Sequence, residues 1–370
     1  MDEGIKFFVG LDVHKDSIAV ATAEAGRAPA RLVATLAHDV AKLRKLLARY
    51  GDPQQVHVVY EAGPTGYGLQ RELTGRGYHC EVIAPSLIPR RSGDRVKTDR
   101  RDGIRLAELC RAGELRAVWI PDPADEAIRD LARAREDAVN ARTQARHQLK
   151  SFLLRHEVRY PQRTSWSKTF YRWLGTLSFA GSGAQTAFTE YWQAVATADE
   201  RVARLTLALK DCIAGWRFEP VVKALLALRG IDAITAIGLM AEIGDITRFT
   251  HPRQLMSYLG LVPSEHSSGE RVARGGITKT GNAHARRLLT EAAWNYRFRP
   301  RIGYQAQRRA EGLPQSIRDL AWKAQLRLGG RFARLKARGV QINKVCVAVA
   351  RELAGFVWAI ASTRAKLAQD

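Results

Sequence analysis

The spacing of apolar residues changes once along this chain, and that change limits the folds open to it. Between residues 6 and 84, short stretches rich in β-branched residues alternate with helical patterns. Beyond residue 123, apolar residues recur at every third or fourth position, which is typical of helices. The sequence therefore predicts an N-terminal α/β domain and a following all-α region, and its 370 residues suffice for two or three domains.

The first predicted domain spans residues 1–123. Its expected elements are strands at 6–13, 17–22 and 31–36, a helix at 40–50, a strand at 56–60, a helix at 67–77, a strand at 81–84 and a helix beginning near residue 99. This order is that of a ribonuclease-H-like domain, and it also suits actin-like ATPases. An actin-like phosphate loop needs small and hydroxyl residues after Asp12, where this chain has Val13, His14 and Lys15. We therefore prefer the ribonuclease-H-like fold.

Two helical regions are predicted after it. Residues 124–220 contain long amphipathic helices at 126–155 and 187–216, separated by an aromatic-rich stretch, which indicates an antiparallel, coiled-coil-like arm. This arm is either a dimerisation element or a helical hairpin that packs only on itself. Residues 221–370 form the C-terminal helical domain, in which 225–243 resembles a helix-hairpin-helix that can hold a DNA phosphate, or is a plain helical turn.

The net charge of the chain indicates what kind of partner it binds. The 59 Lys and Arg residues exceed the 37 Asp and Glu residues, for a net charge of +22, and a polyanion is the natural counterpart of such an excess. Nucleic acid is the expected partner. A membrane is not expected, because no run of about 18 apolar residues is found. We expect a cytoplasmic protein that is associated with the nucleoid when active.

Four carboxylates stand out by position. Asp12 ends the apolar strand 7–11, and Glu61 ends the apolar strand 56–60. An acid at the end of an apolar strand is costly to desolvate unless a cation such as a divalent metal compensates it. Asp99 and Asp102, three residues apart at the start of a helix, share one face, although acids there can also simply cap the helix. Four oxygen ligands that converge could hold two Mg²⁺ ions and cut a phosphodiester.

Cations surround two of these regions. Arg90, Arg91, Arg95 and Lys97 precede the second pair of acids and could contact phosphates, or could form a solvated basic loop. Ser268 lies in a glycine-rich loop, 264–282, that also carries Arg271, Arg274 and Lys279. From composition alone, this loop is better interpreted as a phosphate-binding loop without a nucleophile.

Four motifs carry a resemblance to a known family: Gly-Leu-Asp-Val-His-Lys at 10–15, Tyr-Glu-Ala-Gly-Pro-Thr-Gly at 60–66, Lys-Thr-Asp-Arg-Arg-Asp at 97–102, and Gly-Leu-Val-Pro-Ser-Glu-His-Ser-Ser-Gly-Glu-Arg at 260–271. Together they resemble the DEDD transposases of insertion sequences, the family of the Piv-type DNA invertases and the bridge-RNA-guided serine recombinases. The resemblance covers nearly the whole chain and is weakest over the helical arm.

This resemblance implies roles for particular residues. Asp12, Glu61, Asp99 and Asp102 would be the metal-binding tetrad of a RuvC-like domain, with Mg²⁺ as the cofactor. Ser268, next to Ser267, would be the nucleophile that forms a covalent serine–phosphate intermediate with DNA. Similar recombinases act as tetramers assembled from dimers, and a structured noncoding RNA pairs with their donor and target DNA.

Two other functions remain open at this point. A RuvC-like nuclease or junction resolvase would use water in place of the serine, and would leave free 3′-hydroxyl and 5′-phosphate ends. A nucleic-acid-packaging protein would use its acids only to cap helices, and would tolerate Asp12→Asn or Glu61→Gln. The sequence specifies neither the target site nor the guide RNA.

Overall fold

A computed structural model describes residues 4–89, 98–268 and 273–366. Contacts between residues divide the chain into two units, Met1–Ile120 and Pro121–Asp370. The further division of the second unit into an arm, 124–220, and a C-terminal domain, 221–370, stays a prediction.

The first unit is built on a five-stranded mixed sheet. Its strands are β1 (Phe7–Val13), β2 (Ser17–Glu24), β3 (Arg31–Ala37), β4 (Val56–Glu61) and β5 (His79–Ile83). They lie in the order β3-β2-β1-β4-β5, in which β1, β2 and β3 are antiparallel while β4 and β5 run parallel to β1. The helices are α1 (Val40–Leu47), α2 (Gly68–Thr74) and α3 (Asp99–Arg111). The predicted mixed α/β domain is confirmed, and its strand order is compatible with a ribonuclease-H-like fold.

Helices cover both faces of this sheet. On one face, Leu11 and Tyr60 belong to a core that includes Leu43 of α1 and Leu73 of α2. On the other face, Val59 and Ile83 pack against Leu106 and Cys110 of α3. Because side chains alternate along a strand, the residue next to each of these points to the opposite face. This alternation decides where the acids at the strand ends lie.

The second unit begins with the arm. Its helices are α4 (Pro123–Arg155), α5 (Lys168–Leu174) and α6 (Ser182–Asp211). Helices α4 and α6 run antiparallel, since Phe152 packs on Phe188 at one end while Arg135 Nε donates to Thr206 Oγ1 at 2.8 Å farther along. The aromatic-rich stretch between them packs on the same end of the helix pair, where Tyr160 contacts Phe170 and Trp173. The two long helices are therefore present, and an aromatic cluster holds that end together.

The remaining helices are α7 (Glu219–Leu225), α8 (Ala233–Ile243), α9 (Pro252–Tyr258), α10 (Ala283–Ala293), α11 (Tyr304–Ala310), α12 (Gln315–Ala337) and α13 (Ile342–Lys366). All of them except α11 contribute buried residues to one large core. Helix α7 ends at Leu225, residues 226–230 form turns and bends, and α8 begins only at Ala233. A Cβ on Gly230 would lie 2.4 Å from the carbonyl oxygen of Ala292, so the turn before α8 packs against α10. The helix-hairpin-helix interpretation stays a prediction.

The expectation of an all-α C-terminal region is wrong at one place. Strands β6 (Pro263–Glu265) and β7 (Arg274–Ile277) pair as an antiparallel hairpin within the glycine-rich segment. Two glycines close its base: Gly260 and Gly281 have positive φ angles, and a Cβ on Gly281 would lie 1.9 Å from the carbonyl oxygen of Tyr258. Of the glycines that suggested a loop, Gly281 therefore lies at the base of a hairpin, and Gly275 and Gly276 lie within β7.

Helix α13 is long and apolar enough to span a membrane by length and composition, and half of its most apolar window is buried inside the protein. Val345, Val349 and Leu353 belong to the core of the second unit. The helix is thus placed as a core helix, as its broad apolar face predicts.

Candidate active site

The acids at the two strand ends lie side by side on one face of the sheet. Strands β1 and β4 are parallel, and Leu11 is paired with Tyr60. Asp12 and Glu61 each follow one residue later, so they occupy neighbouring positions at the carboxyl ends of adjacent strands. Since Leu11 and Tyr60 point to the face covered by α1 and α2, Asp12 and Glu61 point to the face covered by α3.

Helix α3 brings the other two acids to the same face. Thr98 caps the helix by accepting a hydrogen bond from Arg101 N, and Asp99 and Asp102 occupy the first turn. The helix lies very close to β1, because a Cβ on Gly10 would stand 2.2 Å from the carbonyl oxygen of Gly103. Only a residue without a side chain fits between β1 and the backbone of α3.

Asp12, His14 and Asp99 form the centre of the site. Nε2 of His14 lies 3.2 Å from Oδ2 of Asp12 and 3.5 Å from Oδ1 of Asp99. Among the described residues, these three bring their ligand atoms within 4.8 Å of one another, so Glu61 and Asp102 stand outside this closest group. The sequence did not single out His14, although it lies only two residues after Asp12.

Asp12 is the least exposed of the three, with 15% of its side chain accessible to solvent. Burial raises the pKa of Asp12 because the charged form loses hydration. His14 lowers this pKa, whereas the nearby carboxylates of Asp99 and Asp102 raise it further by repulsion. The site therefore concentrates negative charge that a cation would relieve.

The two carboxylates of this group fit a hard divalent cation, which prefers oxygen ligands. The imidazole of His14 is a ligand more typical of Zn²⁺ and other transition metals, although its ligand atom lies within 4.8 Å of both carboxylates. In this structure Nε2 of His14 approaches both carboxylates and lies within hydrogen-bonding distance of Asp12.

Ser268, the predicted nucleophile, lies on the hairpin of the second unit. Ser268 is exposed, three residues after the end of β6. Its neighbour Ser267 donates its hydroxyl hydrogen to Oε1 of Glu265 at 2.8 Å, and Arg274 approaches the other oxygen of Glu265 at 3.4 Å. The hydrogen bonds from Ser267 and Arg274 lower the pKa of Glu265, which makes this carboxylate a poor acceptor for a proton from Ser267.

Known proteins resemble the chain over both units. A DEDD-type transposase model of the IS110 group, described as Transposase, matches residues 9–157, and a model described as Transposase IS116/IS110/IS902 family matches residues 222–307. The putative transposase y4qE of Sinorhizobium fredii (strain NBRC 101917 / NGR234) is 48% identical over 356 residues, which cover 96% of this chain and 88% of that protein. The chain belongs to the IS116/IS110/IS902 transposase family.

Other relatives of this transposase agree. The transposase for insertion sequence element IS1533 of Leptospira borgpetersenii is 30% identical over 350 residues, covering 92% of this chain and 99% of its own length. The transposase for insertion sequence element IS1111A of Coxiella burnetii is 25% identical over 315 residues, with 82% and 77% covered. The chain is therefore an insertion-sequence transposase, an enzyme that cuts and rejoins DNA, and its DEDD-type domain implies the use of divalent metal.

Two of the seven cations predicted to bind nucleic acid lie within the described residues. Arg274 begins β7 and is exposed beside Glu265, and Lys279 is exposed with a φ of 57° after the hairpin. The other five predicted contacts of the transposase lie outside the described residues: Arg90, Arg91, Arg95, Lys97 and Arg271.

A buried acid that the sequence did not reveal, Glu242, joins three helices of the second unit. Glu242 of α8 is almost fully buried, and it accepts hydrogen bonds from Arg133 at 2.8 and 3.0 Å, from Asn282 at 2.7 Å and from His284 at 3.2 Å. Burial alone would raise the pKa of Glu242, but these hydrogen bonds outweigh it and hold that pKa well below its usual range. Asn282 also caps α10, so this network ties α4, α8 and the start of α10 together.

A second group of possible ligands lies at the opposite end of the sheet. His57 and His79 stack with ring centroids 4.0 Å apart, and Nε2 of His57 lies 3.1 Å from Oε2 of Glu81. The hydrogen bond with His57 is the main reason that the pKa of Glu81 is lowered. The three residues lie near the amino ends of β4 and β5, away from the carboxyl ends that carry the acids.

Proposed function

We propose that this transposase cuts and rejoins DNA through a covalent serine–phosphate intermediate, with Ser268 as the nucleophile. Asp12, Glu61, Asp99 and Asp102 would hold Mg²⁺, two ions per site, in a RuvC-like domain. The observation that carries the proposal is that all four acids lie on one face of the sheet: Asp12 and Glu61 at the carboxyl ends of β1 and β4, and Asp99 and Asp102 in the first turn of α3.

The acids and the serine have separate tasks in this proposal. Bound Mg²⁺ would offset the charge of the scissile phosphate and polarise it. Asp12 and Asp99 would hold the cation in position, and the imidazole of His14 orients their carboxylates when the cation is absent. The Oγ atom of Ser268 forms a bond to phosphorus and loses its proton, while one bridging oxygen of the DNA leaves and gains a proton. The phosphodiester energy is kept in the serine ester, so rejoining needs no external energy source.

The hairpin geometry favours Ser268 over Ser267. The hydroxyl hydrogen of Ser267 is engaged with Glu265, whose lowered pKa makes it a weak base. Ser268 is exposed, and it lies on the same hairpin as Arg274, a cation suited to bind a phosphate. The matched pair Ser268→Ala and Ser267→Ala therefore separates the two hydroxyls.

The test uses an end-labelled DNA substrate and denaturing gels that detect protein–DNA adducts. Ser268→Ala is expected to abolish the adduct, Ser267→Ala to retain it, and Asp12→Asn to abolish both adduct and cleavage. An adduct that persists in Ser268→Ala would contradict the role of this serine. Cleavage by Ser268→Ala with free 3′-hydroxyl and 5′-phosphate ends would favour the water-using nuclease instead.

We further propose, from the family resemblance, that a structured guide RNA selects donor and target DNA, and that a tetramer combines carboxylates and serine from different protomers. The net charge of +22 supports a second polyanionic partner. Sequencing RNA that copurifies with the protein tests the guide: a discrete RNA supports it, and random host fragments contradict it.

A further inference from the structure

Exposed large apolar side chains are concentrated in one stretch of the second unit. Ten such side chains are exposed among the described residues, and six of them lie between residues 294 and 326. Their exposed fractions run from 37% to 71%: Trp294, Phe298, Ile302, Tyr304, Trp322 and Leu326. Scattered exposed apolar residues are ordinary, but a group of this kind marks an interaction surface.

Two of these side chains line one cleft, and the other four lie on the segments of chain that form this cleft or lead into it. Ile302 and Trp322 line the same open cleft of about 520 Å³, between the start of α11 and the middle of α12. Leu326 follows Trp322 by one helical turn, and Arg301 N donates to Gln325 of the same helix at 3.3 Å. Phe298 and Trp294 are joined to this surface through the loop that precedes α11.

Arginine side chains make cation–π contacts with three of the exposed aromatic rings. The guanidinium of Arg297 lies 4.7 Å from the ring centre of Trp294 and 4.1 Å from that of Phe298, and Arg308 lies 5.9 Å from that of Tyr304. Arg229 holds the backbone of this loop, because its guanidinium donates to the carbonyl oxygens of residues 298, 299 and 301. The rings are therefore presented by an ordered backbone, which lowers the entropy cost of binding.

The charge of this surface selects the occupant. Residues 294–327 contain seven arginines and one lysine against only Glu311 and Asp319. A second copy of the chain that docked with the same face would bring these cations together, which like-charge repulsion disfavours. A polyanion with flat apolar faces satisfies both the arginines and the rings. Nucleotides have this chemistry, but the bases of a duplex are stacked on each other, so unpaired nucleotides fit.

We propose that this surface, defined by the six exposed apolar side chains and Arg297, binds a single-stranded segment of DNA. Bases stack on the exposed aromatic rings, and the arginines bind the phosphates. The inference rests on the protein being a DNA transposase, because cutting and rejoining DNA exposes unpaired strand near the enzyme. It does not depend on the identity of the nucleophile.

The test measures binding of the full-length protein to a fluorescent 20-nucleotide oligo-dT by anisotropy, in EDTA so that the metal site makes no contribution. Tyr304→Ala and Trp322→Ala are each expected to weaken binding about tenfold, and Tyr304→Phe to retain it. Leu207→Ala, which removes an exposed apolar side chain from the arm, is the matched control and should leave binding unchanged. Binding of a 20-base-pair duplex should change less than twofold in every variant.

Three results would overturn the proposal. In the first, the double variant Tyr304→Ala/Trp322→Ala binds oligo-dT as tightly as the wild type. In the second, the double variant loses as much affinity for the duplex as for oligo-dT, which would indicate a general phosphate-binding surface. Oligo-U binding at least tenfold more tightly than oligo-dT would make RNA the occupant. Because no cleavage is measured, an inactive Ser268→Ala protein that still binds oligo-dT separates a failure of the proposed chemistry from a failure of this surface.

Discussion

Replacing Gly10 with alanine tests how the acids of the site are brought together. A Cβ at this position would lie 2.2 Å from the carbonyl oxygen of Gly103, 2.5 Å from the amide nitrogen of Ala107 and 2.9 Å from Cβ of Leu106. Two of these neighbours are backbone atoms, which cannot rotate away. Ordinary contacts begin near 3.4 Å, so α3 must move away from β1 by roughly 1 Å.

Two effects follow from that displacement. Overpacking of this kind costs about 1–3 kcal/mol, which lowers the melting temperature by roughly 3–10 °C. The movement also carries Asp99 and Asp102 away from Asp12, and a misplacement of about 1 Å at a reacting centre can reduce the rate about 100-fold. We therefore expect Gly10→Ala to lose far more DNA cleavage than its loss of stability explains.

The other side of the same contact supplies the control. A Cβ on Gly103 would lie 3.5 Å from its nearest neighbours, Ala21 Cβ and Gly10 O, which is ordinary contact. Since alanine also favours helix over glycine by about 1 kcal/mol, Gly103→Ala should fold as well as the wild type or better. Circular-dichroism melting and a strand-cleavage assay compare the two variants. Equal stability and equal cleavage in Gly10→Ala and wild type would refute the close-packing argument.

Two further predictions concern buried and half-buried acids. Glu242→Gln removes the buried charge that pairs with Arg133, and should lower the free energy of unfolding by about 3 kcal/mol in urea denaturation. The control Glu219→Gln, at an exposed pair with Lys223, should leave the free energy of unfolding nearly unchanged. Glu81 has a lowered pKa in the folded protein, so its stabilising contribution is fully present above its ordinary pKa of 4.5 and is lost as the pH falls through that lowered pKa. The difference in melting temperature between wild type and Glu81→Gln should therefore shrink as the pH falls below 4.5, and a constant difference would contradict this.

The sheet could be predicted because its signals are local. Strands β1 and β4 are apolar runs that each end in an acid, and parallel strands bring their carboxyl ends to one edge, so the neighbourhood of Asp12 and Glu61 followed from sequence. The importance of Gly10 did not follow. It requires knowledge that Gly103 lies opposite, 93 positions along the chain, and nothing in the local pattern pairs these two residues.

The features that the sequence missed depend on distant partners. The sequence places His14 two residues after Asp12, but its contact with Asp99 arises from the docking of α3. Glu242 lies within an apolar helix, where its pairing with Arg133 and Asn282 joins three separate elements. The glycines of residues 264–282 predict a loop by their flexibility, whereas the hairpin at 263–277 depends on the close approach of Gly281 to Tyr258, which the local sequence does not show.

The charge pattern links metal binding to DNA binding at this site. The chain as a whole attracts phosphates, but the carboxylates around Asp12 repel one another and would repel a phosphate brought among them. A divalent cation relieves both repulsions, so cation and DNA must tighten each other's binding by the same factor. DNA held only by the arginines around Tyr304 would show no such reciprocity. The metal dependence of DNA affinity therefore separates the strand at the carboxylates from any strand bound elsewhere on the protein.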